Sequence, residues 1–203
     1  MIPFKTEHHS FDVPTCWEDV TYRQFADLDK HKENLADTCV LLSCLTGLTY
    51  KECYEMNEKD ILGQIVPRLT FLNEQLNPDE LPMPDFIYHQ GKSIGIPTNI
   101  KQKTFGQKIV LQTLLKKRID ANEPAVNLLP LCMAVYLAPE YYNEEFDGAK
   151  VSGFEKLVWD MPALKVYPIG SFFLRASMKL LKRKIKPFNS GVRTNSYKRA
   201  LIN

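Results

Sequence analysis

The sequence is short of the features that hold small molecules and metals. Only nine glycines are present, and none falls in a G-x-G-x-x-G or G-x-x-x-x-G-K-[S/T] arrangement. No run of backbone amides is thereby prepared for a phosphate. The five cysteines (Cys16, Cys39, Cys44, Cys53, Cys132) include no C-x-x-C pair, whereas structural zinc draws its ligands in close pairs. His31, Cys39, Cys44 and Cys53 could in principle converge on a metal; the simpler reading is small apolar side chains in a reducing compartment. H-E-x-x-H and EF-hand patterns are absent, and the carboxylate pairs Glu144-Glu145 and Asp79-Glu80 stand among polar neighbours that suit a solvated surface. The expectation is a protein without catalytic, cofactor or metal site. Residues 128–138 form the longest apolar run, too short to cross a bilayer. The first nine residues lack the apolar region of a signal peptide, so cytoplasmic synthesis without a membrane role is expected.

What the sequence does contain is a repetition. Residues 13–28 read V-P-T-C-W-E-D-V-T-Y-R-Q-F-A-D-L and residues 96–111 read I-P-T-N-I-K-Q-K-T-F-G-Q-K-I-V-L. One shift of 83 residues aligns Val13 with Ile96, Pro14 with Pro97, Thr15 with Thr98, Thr21 with Thr104, Tyr22 with Phe105, Gln24 with Gln107 and Leu28 with Leu111. Each copy runs from an extended apolar stretch through Pro-Thr to a threonine placed to N-cap a helix. With 203 residues and 44% hydrophobic content, the chain can bury a core. It reads as two related halves: residues 1–76 with an N-terminal extended arm, a Pro-rich seam and hairpin over 77–92, a second half over 93–174, and a basic C-terminal helix end and arm over 175–203.

In order, the pattern predicts an arm anchored by Phe4 and Phe11, with His8-His9 solvated. Trp17 then packs back on a helix from Thr21 to about Asp29. An apolar helix over residues 35–45 stops at Gly47, and a short helix follows a Thr49/Glu52 capping box. The next helix, with Ile61, Leu62, Ile65, Leu69 and Leu72, is interrupted at Pro67. A hairpin joins residues 86–88 to 93–96 through a turn at 89–92. The second half adds a helix from Thr104 to about Arg118 and an apolar helix over 125–137 ended by Pro139. An amphipathic helix over 146–161, a connector between Pro162 and Pro168, and a last helix over 169–181 complete it. The fold class is mainly α with a small β-hairpin component, internally duplicated, with extended N- and C-terminal arms.

Charge is segregated. Arg175, Lys179, Lys182, Arg183, Lys184, Lys186, Arg193, Lys198 and Arg199 are the nine basic residues of the last 29, which contain no acidic one; the remainder has 17 basic against 24 acidic residues. Such a segment can meet DNA phosphates or an acidic protein surface, or balance the body as a solvated tail. Only Phe188 and Tyr197 interleave with the charges, so base stacking has little support.

The runs P-T-C-W-E-D-V-T-Y-R-Q-F-A-D-L, L-L-S-C-L-T-G-L-T-Y-K-E and I-V-P-R-L-T-F-L resemble virion and tail-module proteins of bacteriophages, those of crAss-like phages of Bacteroidetes above all. T-F-x-Q at 104–107, Y-L-A-P-E-Y-Y at 136–142 and Y-P-I-G-S-F-F at 167–173 fit the same pattern, so the resemblance spans about residues 11–174. It implies a structural virion protein, a homo-oligomeric ring of a tail or head–tail connector through which DNA passes. Its neighbours would be the portal or other tail proteins, with non-specific contact to DNA in the lumen. The alternatives are a tail-assembly chaperone absent from the mature virion, and a host-directed binding module. The basic segment carries no motif of that family.

Overall fold

A computed structural model describes residues 1–5, 9–97 and 104–184. The fold is mainly α with a small β component: two antiparallel hairpins and eight α-helices among the described residues. In the first half, β1 (Ile2–Lys5) and β2 (Ser10–Val13) precede α1 (Tyr22–Lys30), α2 (Thr38–Thr46), α3 (Tyr50–Tyr54) and α4 (Glu58–Asp60). The second half has β3 (Phe86–His89), β4 (Lys92–Gly95), α5 (Phe105–Asp120), α6 (Ala125–Tyr142), α7 (Gly148–Trp159) and α8 (Ala163–Lys184).

The repetition extends well beyond the matched residues. In the first hairpin Pro3 pairs with Asp12, Phe4 with Phe11 and Lys5 with Ser10. Shifted by 83, these become Phe86 with Gly95, Ile87 with Ile94 and Tyr88 with Ser93, the pairs of the second hairpin. Even the flanking pair carries over: Ile2 faces Val13, and Ile96 N donates to Asp85 O at 2.8 Å. A slip of one residue would turn every inward side chain outward, so this shared register places Phe11, Ile87 and Ile94 on the core. The N-terminal segment is therefore extended as expected, but it does not project; it folds back as a strand pair closed by the Phe4–Phe11 ring contact. The second hairpin turns on Gln90 and Gly91 alone, both at positive φ, a tighter turn than the four residues expected.

The helix that follows each hairpin starts the same way. Thr21 Oγ1 accepts from Gln24 N while the Gln24 side chain accepts from Thr21 N; Thr104 and Gln107 repeat the arrangement. These are full capping boxes, satisfying two orphan amides each. Each glutamine also spends its amide nitrogen on a carbonyl of its own half's apolar helix. Gln24 Nε2 donates to Leu45 O at the end of α2, and Gln107 Nε2 donates to Val135 O in α6 at 3.3 Å.

The second of these contacts explains a departure from the sequence reading. Helix α6 does not stop at Pro139; it runs through Pro130 and Pro139 to Asn143, which takes the left-handed conformation. A proline withholds the amide that would bond to the carbonyl four residues earlier. For Pro139 that carbonyl belongs to Val135 and is capped by Gln107; for Pro130 it belongs to Val126 and is capped by Tyr22 Oη at 2.7 Å. Likewise Pro168 lies inside α8, which begins at Ala163, so the expected connector is the first turns of the last helix. Val166, Ile169 and Phe173 are fully buried and hold that helix through its missing bond.

Other expectations are met in place or nearly so. The apolar helix expected from residue 35 starts instead at Thr38, capped by Asp37, and closes as expected at a left-handed Gly47; Thr49 with Glu52 forms the capping box of α3. The chain from α4 passes through a π-turn at Ile61–Ile65 into a 3-10 stretch at Val66–Asn73 with Pro67 in its first turn, an interrupted helix. Trp17 packs edge-on against Phe25 and Phe71.

The two cores interlock. One gathers around α6, the other around α1, α2 and β2. Tyr22, from the first half, is buried in the second core, while Ala163, from the second half, is buried in the first. Between them Tyr22 N donates to Met161 O and Ala163 N to Val20 O, both at 2.8 Å. Helix α8 then crosses α6 at Gly170, where an added Cβ would lie 2.5 Å from the Leu129 Cβ.

Two substitutions test this packing. Tyr22→Phe strands the Val126 carbonyl, with an expected cost of about 1–3 kcal/mol. Gly170→Ala forces α8 off α6 and should cost about 1–3 kcal/mol despite the better helix propensity of alanine. Urea unfolding midpoints measure both, and a neutral Gly170→Ala would contradict the helix crossing described.

Candidate functional site

Of the nine basic residues expected to form a contact arm, the structure places five on one element. Arg175, Lys179, Lys182, Arg183 and Lys184 belong to the C-terminal turns of α8, while Lys186, Arg193, Lys198 and Arg199 lie outside the described residues, as does His8. The last helix, expected to end near residue 181, thus runs to Lys184. Helix propensity and the buried face of α8, including Phe173 and Ser177, carry helical structure through the start of the basic run. Ser177 Oγ donates to Phe173 O and meets Tyr136 Oη, so this part of α8 is anchored to α6.

Arg175 and Lys179 are exposed. The Arg175 guanidinium donates to the Asp79 carboxylate in the Pro-rich seam, and that hydrogen bond holds Asp79 below the usual carboxylate range. The seam is thus pinned to the last helix by an exposed ion pair of the weak surface kind. This pairing already occupies one of the nine cations expected to reach a partner.

A cleft of about 390 Å³ lies where the halves meet, lined by Arg23, Asp27, Asp29, Lys30, Val126 and Trp159 among others. Arg23 is committed: it bonds Asp160 through Nε at 3.2 Å and Nη2 at 3.1 Å and lies 5.9 Å from the Trp159 ring centre. Two cations and two carboxylates share this lining, so it presents no single-sign field for a phosphate or a polycation. Deeper in the second half, Arg118 forms a forked pair with Glu155 (2.7 and 2.9 Å) and donates to Asn127 O at 3.2 Å. This cluster ties α5, α6 and α7 together through a side chain that is nearly buried at Glu155.

The cysteines behave as packing groups. Cys44, Cys53 and Cys132 are buried, and Cys16 and Cys39 are partly exposed. Burial pushes the Cys53 thiol up to about 11 and raises Cys44 and Cys132 as well, so these three thiols stay protonated near neutral pH. Among the described residues, no three His, Cys, Asp or Glu side chains gather into a group able to hold a metal.

The residues that organise the molecule are ones that residue chemistry alone passed over: Tyr22, Gln24, Gln107 and the two prolines of α6. Their signal was present. Gln24 and Gln107 were matched by the 83-residue shift, three residues after each capping threonine, where a capping-box partner belongs. Compared with known protein families, with curated proteins and with solved structures, the chain matches none.

The raised thiols have a measurable consequence. The unfolded chain releases thiol protons near pH 8.5 and above, while the folded chain keeps them. The native state then binds more protons, so stability falls as pH rises past that range. The urea midpoint should drop between neutral and about pH 10, and a Cys53→Ala, Cys132→Ala double variant should show a smaller drop. In the native protein a thiol reagent should label Cys16 and Cys39 well before the three buried cysteines.

Proposed function

We propose that the chain is a structural subunit of a phage tail or head–tail connector, one copy of a ring through which DNA passes. The resemblance of residues 11–174 to tail-module proteins supplies the class. The observation that carries the ring is the joint between the halves. Two related units, each a hairpin followed by a capped helix and an apolar helix, contact one another by unlike surfaces: the start of α1 against α6 and the α7–α8 junction. A contact between unlike surfaces of like units is heterologous, and its repetition generates rings or filaments. The chain thus contains within itself one example of the contact type that a ring requires.

In this reading the basic end of α8 and the residues after it meet either DNA in the lumen or an acidic neighbour. Exposed Arg175 and Lys179 can serve there only by exchange with, or alongside, the Asp79 pair. The body, with its excess of acidic residues, would not itself attract DNA.

Quantitative mass spectrometry of purified mature virions, measured against the portal protein, tests the proposal. A ring subunit is present at one copy or a small multiple per portal subunit. Absence from particles, with abundance in the infected lysate, would replace the ring with an assembly chaperone.

A further inference from the structure

The two halves share a feature that only one of them uses. In α1, Tyr22 and Ala26 stand one turn apart and form a ridge that is 0% and 6% exposed; Tyr22 is buried in the second core, and Ala26 lines the cleft beside Val126 and Trp159. The 83-residue shift carries this ridge to Phe105 and Ile109 in α5. There the same two positions are 74% and 46% exposed. Gln24 and Gln107 tie each of these helices to the apolar helix of its own half, Gln24 at the end of α2 and Gln107 within α6. One ridge thus meets the next half, and the other faces solvent.

A solvated helix ridge is ordinarily polar. Phenylalanine and isoleucine one turn apart instead make an apolar contact strip, and exposed strips of this kind mark interaction sites. We infer that the Phe105–Ile109 ridge docks onto the first half of a second copy of this chain, repeating between subunits the contact that Tyr22 and Ala26 make within one.

The occupant follows from the pattern already present. The α1 ridge packs at the start of α6, the apolar helix of the half that follows it. The matching surface for the α5 ridge is the start of α2, the apolar helix of a first half. In this chain that region leaves Leu35, Val40 and Leu41 only partly covered. Phenylalanine at the position of Tyr22 is consistent with this site: α2 has no proline at its start, so no freed carbonyl there calls for a hydroxyl donor. The contact joins unlike surfaces, so it leaves one free ridge and one free receiving face at every stage and is satisfied throughout only by closure. This inference rests on the ring reading and names the ring's lateral interface.

The test uses the purified full-length chain in sedimentation velocity over a wide concentration range, together with its Phe105→Ser, Ile109→Ser double variant. Both positions are exposed, so the variant should keep the wild-type unfolding midpoint. The wild-type chain should self-associate, and the variant should do so at least about 10-fold more weakly, as expected for loss of a central apolar anchor. A photocrosslinking residue at position 105, in a mixture of isotopically light and heavy chains, should join residues 1–76 of a different copy. Wild-type association that the double variant leaves unchanged would overturn this interface, while virion stoichiometry would still decide the ring. A wild-type chain that remains monomeric and yields no intermolecular crosslink would overturn the interface as well.

Discussion

The structure depends on how one helix survives two prolines. Among the described elements helix α6 is the most buried, with residues 128–138 removed almost entirely from water. Each proline inside it frees a carbonyl in an environment where an unpaired acceptor is costly. Tyr22 supplies one missing donor and Gln107 the other. These two side chains come from the first turns of α1 and α5, the helices that the repeat has in common. The central helix is thus completed by one residue from each half, and neither half accounts for it alone.

This dependence sets the character of the joint. Had Tyr22 only packed against α6, the halves could be pictured as two small domains in contact. Instead its hydroxyl completes a helix of the other half, its amide bonds to Met161, and Ala163 in turn enters the first core. Gross hydrophobic burial brings such surfaces together without direction; the hydrogen bonds select one arrangement. The Arg118–Glu155 fork and the Gly170 crossing act in the same sense within the second half, each fixing how neighbouring helices approach α6.

The duplication also has a physical reading. The hairpin register, the capping box and the glutamine-to-helix bond recur as a set, because each supports the next. The register places Val13 and Ile96 at the end of the inner strand, the Pro-Thr stretch leads away from it, and the capped helix then lies against its own apolar helix. Beyond that set the halves diverge: α2 has nine residues where α6 has 18, and the first half continues into π and 3-10 turns where the second forms α7 and α8. The second half consequently holds the larger core, and the first half is completed against it.

Much of this was legible in the residues. Local signals act over three or four positions and report themselves directly. The threonine caps at 21, 49 and 104, the left-handed glycine at 47, the hairpin at 86–96 and the break at Pro67 all belong to this class. The prolines at 139 and 168 misled for the complementary reason. A proline reads as a helix end because it removes a local bond, and whether that loss is tolerated depends on a donor or a core contact remote in sequence. Tyr22 and Val126 are 104 residues apart. The N-terminal arm was likewise extended as read, but its pairing required the Phe4–Phe11 contact and the core beneath it. The sequence by itself determined the caps, the turns, the helical class and the fact of repetition, because these rest on short-range sterics and hydrogen bonding. Only the tertiary structure decided that one copy of the shared ridge is covered and the other open, because burial depends on which surface the folded chain brings opposite each side chain.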